Sequence, residues 1–135
     1  MSENDHQDRR TGSCLCGAVR FETDGPLRGI LYCHCTQCRK QSGHYFAATN
    51  VGDDAIHIDG AENITWYQSS EKARRGFCRI CGSVLFWKRD KRDAISVMAG
   101  AFDQPSGLHG ERHIFTADKG DYYSIDDDLP QHEGR

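Results

Sequence analysis

A chain of 135 residues, 37% of them apolar, has room for one domain with a modest core. Its net charge of −3, with acidic and basic residues interspersed, argues against nucleic acid as a partner. No apolar run approaches the ~20 residues of a membrane span, and the opening MSENDHQDRR has no hydrophobic stretch to serve as a signal peptide.

Residues 1–10 read as a disordered polar tail, 11–130 as a single domain and 131–135 as a C-terminal tail. Residues 18–22 alternate as a strand does, and Asp24-Gly25-Pro26 ends the run. Residues 29–32 lead into a central cysteine cluster, and a short helical turn is expected from Cys35 through Lys40. Further strands are expected at 45–49, 55–58 and 64–68, separated by Gly52-Asp53-Asp54 and Asp59-Gly60. Gly76-Phe77 precedes the last cysteine pair, and strands at 84–87, 94–98 and 113–115 complete the set. No dozen residues keep a 3.6-residue apolar period, so the reading is all-β, a small sandwich of short strands with little helix.

Seven cysteines fall in three clusters: Cys14-Leu-Cys16, Cys33-His-Cys35-Thr-Gln-Cys38 and Cys78-Arg-Ile-Cys81. A cytoplasmic chain keeps its thiols reduced, which favours metal ligation over disulfides, and an odd total cannot pair fully. Seven sulfurs divide most simply into one closed site of four and one site of three with an open position, and an open zinc position is what catalysis uses. Cys14-x-Cys16-Gly17 and Cys78-x-x-Cys81-Gly82 resemble each other as knuckles that could staple the chain around one zinc. A redox pair at Cys78 and Cys81, or buried thiols without metal, are the competing readings. Cys33, Cys35 and Cys38 could clasp one ion in a single loop. Three thiolates make zinc a weak acidifier of water, so the site suits an incoming thiol better than hydrolysis.

Other candidates are weaker. His34 should point away from its cysteine neighbours, into a supporting or surface position. His44 could complete the coordination, handle protons or be structural. His109 and His113 have the spacing of a helical metal pair, but Gly110 and the strand-like residues around His113 argue against it. Asp126-Asp127-Asp128 reads as a solvated acidic turn. Arg74 and Arg75 read as solvent-facing, and Tyr45, Phe46, Trp66 and Trp87 as core aromatics more readily than pocket walls.

The segments Gly12-Ser13-Cys14-Leu-Cys16-Gly17, Cys33-His34-Cys35-Thr-Gln-Cys38-Arg39-Lys40 and Phe77-Cys78-Arg-Ile-Cys81-Gly82, with Gly43, Phe46 and Asp128-Leu129-Pro130, resemble the glutathione-dependent formaldehyde-activating enzyme family. That family includes a chromatin-associated animal branch, the centromere protein V-like proteins. The resemblance implies a twisted β "tent" with two zincs. Cys14, Cys16, Cys78 and Cys81 would hold the structural zinc, and Cys33, Cys35 and Cys38 a labile catalytic one. It implies a carbon–sulfur lyase that condenses glutathione with formaldehyde, or a related thiol and aldehyde. Two carboxylates on such a substrate call for cations. Arg39 and Lys40 are the expected partners, with His44 beside them. The alternative is a non-catalytic binding module in which both metals are structural; a third is a redox-sensing thiol protein.

Overall fold

The computed structural model describes residues 8–135; residues 1–7, most of the expected tail, lie outside them. Ten short strands and one α-helix are present among the described residues. The strands are β1 (Arg10–Ser13), β2 (Arg20–Thr23), β3 (Ile30–Cys33), β4 (Phe46–Gly52), β5 (Ile56–Asp59) and β6 (Ile64–Gln68). They continue with β7 (Ala73–Cys78), β8 (Val84–Arg89), β9 (Ala94–Met98) and β10 (Gly110–Ile114); helix α1 spans Thr36–Ser42. A three-stranded sheet runs β1-β2-β5, and a seven-stranded sheet runs β10-β3-β4-β9-β8-β7-β6. Pairing is antiparallel except between β10 and β3. The all-β expectation is borne out.

Strand alternation divides the large sheet into two faces with different tasks. Val51, Ile95, Val97 and Phe86 face the small sheet and build the main core with Val19, Phe21 and Phe102. Phe21 meets Phe86 and Phe102 edge-on, at centroid distances of 5.9 and 5.1 Å. The residues between them, Phe46, Ala48 and Met98, face the other way. They form a smaller cluster with Cys38 of α1 and Val84. The face opposite the main core therefore carries the helix and the central cysteines.

Two segments depart from the sequence expectation. Strand β1 begins at Arg10, within a stretch read as tail, because its backbone pairs with β2 in register Arg10 to Thr23. Its Gly12 lies directly over a core ring: a Cβ there would come within 2.3 Å of Phe21. The segment 131–134 runs beside the end of β10, where His113 N–H donates to the Pro130 carbonyl and Phe115 N–H to the Gly134 carbonyl. Arg135 lies over the rings of Trp87 and Phe115.

Candidate metal centres

Cys14 and Cys16 follow β1, Cys78 ends β7, and Cys81 lies in the turn after it. The four sulfurs lie within 4.8 Å of one another. Cys14 and Cys16 Sγ are 3.6 Å apart and Cys16 and Cys78 Sγ 3.8 Å. Four sulfurs at ~2.3 Å from a tetrahedral zinc would stand about 3.8 Å apart, so the donor set fits that ion. Backbone donors face two of these sulfurs: Val19 N–H reaches Cys14 Sγ at 3.3 Å and Ile80 N–H reaches Cys78 Sγ at 3.4 Å. Gly17 and Gly82 close the two turns at φ 82° and 81°. Cys81 is drawn down to about 5, first by the Ser83 hydroxyl.

Cys33 ends β3, Cys35 caps α1, and Cys38 lies in its first turn. Cys35 Sγ accepts from Cys38 N–H at 3.4 Å, as a helix-capping group would. These three sulfurs also lie within 4.8 Å of one another, and no fourth His, Cys or carboxylate joins them among the described residues. Hydrogen bonds from Cys33 and Cys38 hold Cys35 far below the ordinary thiol range. The partner side of the same bonds, with burial, raises Cys38, and the contact with Cys35 pushes Cys33 up to about 11. Like charges this close resist joint ionisation, and a divalent cation relieves that crowding.

Arg75 on β7 corrects the solvent-facing expectation. It is 4% exposed, and its Nη1 and Nη2 stand 3.6 and 3.7 Å from Cys38 Sγ. Gln41 and Gln37 side-chain oxygens each accept from it at 3.2 Å, and its guanidinium lies over the Phe46 ring. Neighbouring strand residues face opposite ways, so Arg74 and Arg75 could not share one environment. Arg74 takes the other face of the sheet, where it is exposed and lies over the Trp66 ring. That alternation was the available signal.

A cavity of about 220 Å³ opens at the three sulfurs. Leu31, Phe46 and Met98 line its apolar side, and Arg28, Gln37 and Arg75 its polar side. Trp87 also borders it, whereas Trp66 stacks near Phe86 against the core. Arg39, Lys40 and His44, the expected substrate contacts, do not line this cavity. Arg39 is half-buried and Lys40 exposed at the back of the helix. His44 is exposed and shares a hydrogen bond with the Tyr122 hydroxyl at 2.7 Å.

His34 points away from the sulfurs, as its place between two cysteines requires, but it is not a surface group. It is 1% exposed and bonded to the Tyr123 hydroxyl and to His113 Nδ1, the latter at 2.8 Å. His113 Nε2 lies 2.8 Å from the Asp127 carboxylate. A carboxylate can only accept, so with both imidazoles neutral one set of directions runs along the whole line. His113 Nε2–H donates to Asp127, His34 Nε2–H donates to His113, and Tyr123 O–H donates to His34 Nδ1. Burial, then the neighbouring His113, pulls His34 down to about 4, which keeps it neutral at neutral pH. Asp127 is thus a structural acceptor as well as part of an acidic turn, and its hydrogen bond with His113 holds its carboxyl below the ordinary range. Nothing in the local sequence joins residues 34, 113, 123 and 127, so this line of side chains was not visible there.

The structure is thus a two-sheet β protein with two convergent cysteine clusters that could each hold a metal ion, one of four sulfurs and one of three bordering a cavity. Comparison with known proteins narrows this. Residues 9–118 match the model of the family described as glutathione-dependent formaldehyde-activating enzyme. The chain belongs to that family. A Halomonas elongata protein named "Putative glutathione-dependent formaldehyde-activating enzyme" is 34% identical over 126 residues, covering 85% of this chain and 80% of that one. A Schizosaccharomyces pombe protein named as an uncharacterized lyase is 26% identical over 115 residues, covering 84% and 83%. The crystal structure of a Rhodobacter sphaeroides protein matches with a TM-score of 0.56 at 29% identity, covering 70% of this chain and 88% of that chain.

Proposed function

We propose that the chain is a zinc-dependent enzyme of carbon–sulfur lyase type that joins a small thiol to an aldehyde, with glutathione and formaldehyde as the reference pair. Cys14, Cys16, Cys78 and Cys81 would hold a structural zinc. Cys33, Cys35 and Cys38 would hold a catalytic one. The observation that carries this reading is the convergence of three sulfurs, and of no fourth donor among the described residues, on the wall of a cavity. When bound there, zinc supplies the Lewis acidity that keeps an incoming thiol deprotonated.

The protein's own groups do the rest. Three thiolates against a divalent cation leave one negative charge, and the Arg75 guanidinium beside Cys38 offsets it. Gln37 and Gln41 fix the plane of that guanidinium. Leu31, Phe46 and Met98 keep the sulfur side of the cavity apolar, so water competes poorly with a thiol. In the overall reaction the sulfur bonds the carbonyl carbon, the π pair moves to oxygen, and the thiol proton ends on that oxygen.

The test is zinc content together with exchange-NMR detection of S-hydroxymethylglutathione formation. Two zincs per reduced chain and a rate above the uncatalysed addition are expected. Two zincs with no acceleration for any thiol would overturn the assignment. A fourth protein donor at the second cluster would support the binding-module alternative, and neither His34 nor His44 is directed there.

A further inference from the structure

The cavity at the three sulfurs continues past its arginine wall. A second hollow of about 220 Å³ shares Arg28, Trp87, Ser96 and Arg135 with the first. Beyond them it is bordered by Asn50, Arg89 and Arg92, with Asp93 its acidic residue. The sheet makes this surface rigid: Trp87 on β8 pairs with Ser96 on β9, which pairs with Asn50 on β4. Arg28 is held by its own side chain, Nε donating to the Gly29 carbonyl at 3.2 Å and Nη2 to Ala48 at 3.0 Å. Two of its five N–H groups are thereby used. None of Arg28, Arg89 and Arg92 forms an ion pair with a carboxylate among the described residues. Four arginines against one aspartate line this hollow, in a chain whose net charge is −3. Local charge here is the reverse of the global one.

We propose that this arginine-lined hollow is the subsite for the charged end of the thiol substrate, which is an α-amino-acid head: a carboxylate with an ammonium beside it. The proposal rests on the thiol–aldehyde reading of the cysteine cavity and names the residues, Arg28, Arg89, Arg92 and Asp93, that would hold the far end of its substrate. Guanidinium forks match carboxylates two bonds at a time, and Asp93 among them matches the ammonium. Trp87, common to both hollows, offers a flat apolar floor between the sulfur and the charged end. Size points the same way. At about 220 Å³ the first cavity is below the ~300 Å³ at which pockets begin to enclose a drug-sized ligand, so a peptide thiol must extend out of it. A neutral thiol would fill the first cavity and leave the arginines unused.

Calorimetric titration of the zinc-loaded protein tests this with probes that separate it from its parent reading. S-methylglutathione cannot present a thiolate, yet it carries the charged head, and it is expected to bind. The Arg89→Gln/Arg92→Gln double variant should weaken it about tenfold or more, while 2-mercaptoethanol, small and neutral, binds both proteins alike. Arg28→Gln, on the wall shared with the cysteine cavity, should weaken it as well. Equal S-methylglutathione affinity in wild type and double variant, or none in wild type, overturns the subsite. So does displacement of S-methylglutathione by inorganic phosphate at equal concentration, which would mark an unspecific anion patch. If S-methylglutathione binds in an arginine-dependent way while free thiols gain nothing from zinc, the subsite stands and the thiol–aldehyde reading falls.

Discussion

Arg75 is a buried cation that forms no ion pair with a carboxylate among the described residues and stands against the sulfur cluster, so its effect should appear at that cluster before it appears in folding. Replacing it with Gln keeps a planar amide near Gln37 and Gln41 but leaves the three thiolates uncompensated. Hydrogen bonds to charged groups contribute ~1.5–3 kcal/mol, so Arg75→Gln should weaken zinc at the three-cysteine site about tenfold to a hundredfold. Competition with a chromogenic chelator reads this directly. Unchanged zinc affinity would make Arg75 a packing residue only. Gly60 is a different kind of residue, required by backbone geometry alone. It sits at φ 81°, and a Cβ there would come within 2.0 Å of the Ala18 carbonyl oxygen, which belongs to the chain and cannot swing aside. Strain at such a position costs ~1–3 kcal/mol. Gly60→Ala should therefore lower unfolding free energy by about 2–3 kcal/mol in urea titration, with the zinc content of the folded protein unchanged.

Elements show how far a strand pattern can be read. Strands at 64–68 and 94–98 match β6 and β9 residue for residue, because both are apolar or aromatic runs bounded by turn residues. The helical turn after Cys35 appears as α1, extended to Ser42 and closed by Gly43 at φ 88°. Strand β1 was hidden because RTGS has no apolar residue; its stability comes from its partner and from Gly12 lying on Phe21. The cysteine pairs and the three-cysteine cluster were legible because their members are neighbours in sequence; that Cys14 and Cys16 meet Cys78 and Cys81 follows from the fold. The arginine at Cys38 and the histidine line were not, since their partners meet only through sheet order. The segment after β10 depends on that line. Asp127 accepts from His113 and from Leu129 N–H, and these contacts hold its carboxyl below its ordinary value of 3.8. A depressed carboxyl contributes stability at neutral pH and loses it as pH falls through the depressed value. Asp127→Asn should lower the melting temperature by a few degrees at pH 7. The gap from wild type should close below pH 3.8, and a gap that stays constant with pH would remove Asp127 from this role.

At the scale of the whole molecule the two cysteine clusters differ in what they tie together. The three-cysteine set joins the end of β3 to the helix that follows it, a span of six residues from Cys33 to Cys38. Its ligands stay neighbours even when tertiary structure is lost. The four-cysteine set joins the end of β1 in the small sheet to the end of β7 in the large one. Its Cys14 and Cys78 are also part of the main core. Structural zinc in small domains has an apparent binding free energy of ~10 kcal/mol or more, comparable with the ~5–15 kcal/mol stability of a whole domain. Losing the ion at the four-sulfur site should therefore abolish the fold, whereas losing it at the three-sulfur site should abolish chemistry alone. Cys14→Ser or Cys81→Ser is expected to give unfolded or aggregated protein, and Cys35→Ser a folded domain with one zinc and no acceleration of thiol–aldehyde addition. Stepwise chelation of the wild type, followed by native mass spectrometry and far-ultraviolet circular dichroism, should show the same order. The first zinc should leave with activity and without spectral change, and the second should leave with the β signal. Simultaneous release of both ions, or a Cys35→Ser protein as unstable as Cys81→Ser, would mean that both clusters hold the fold together and that neither is reserved for substrate.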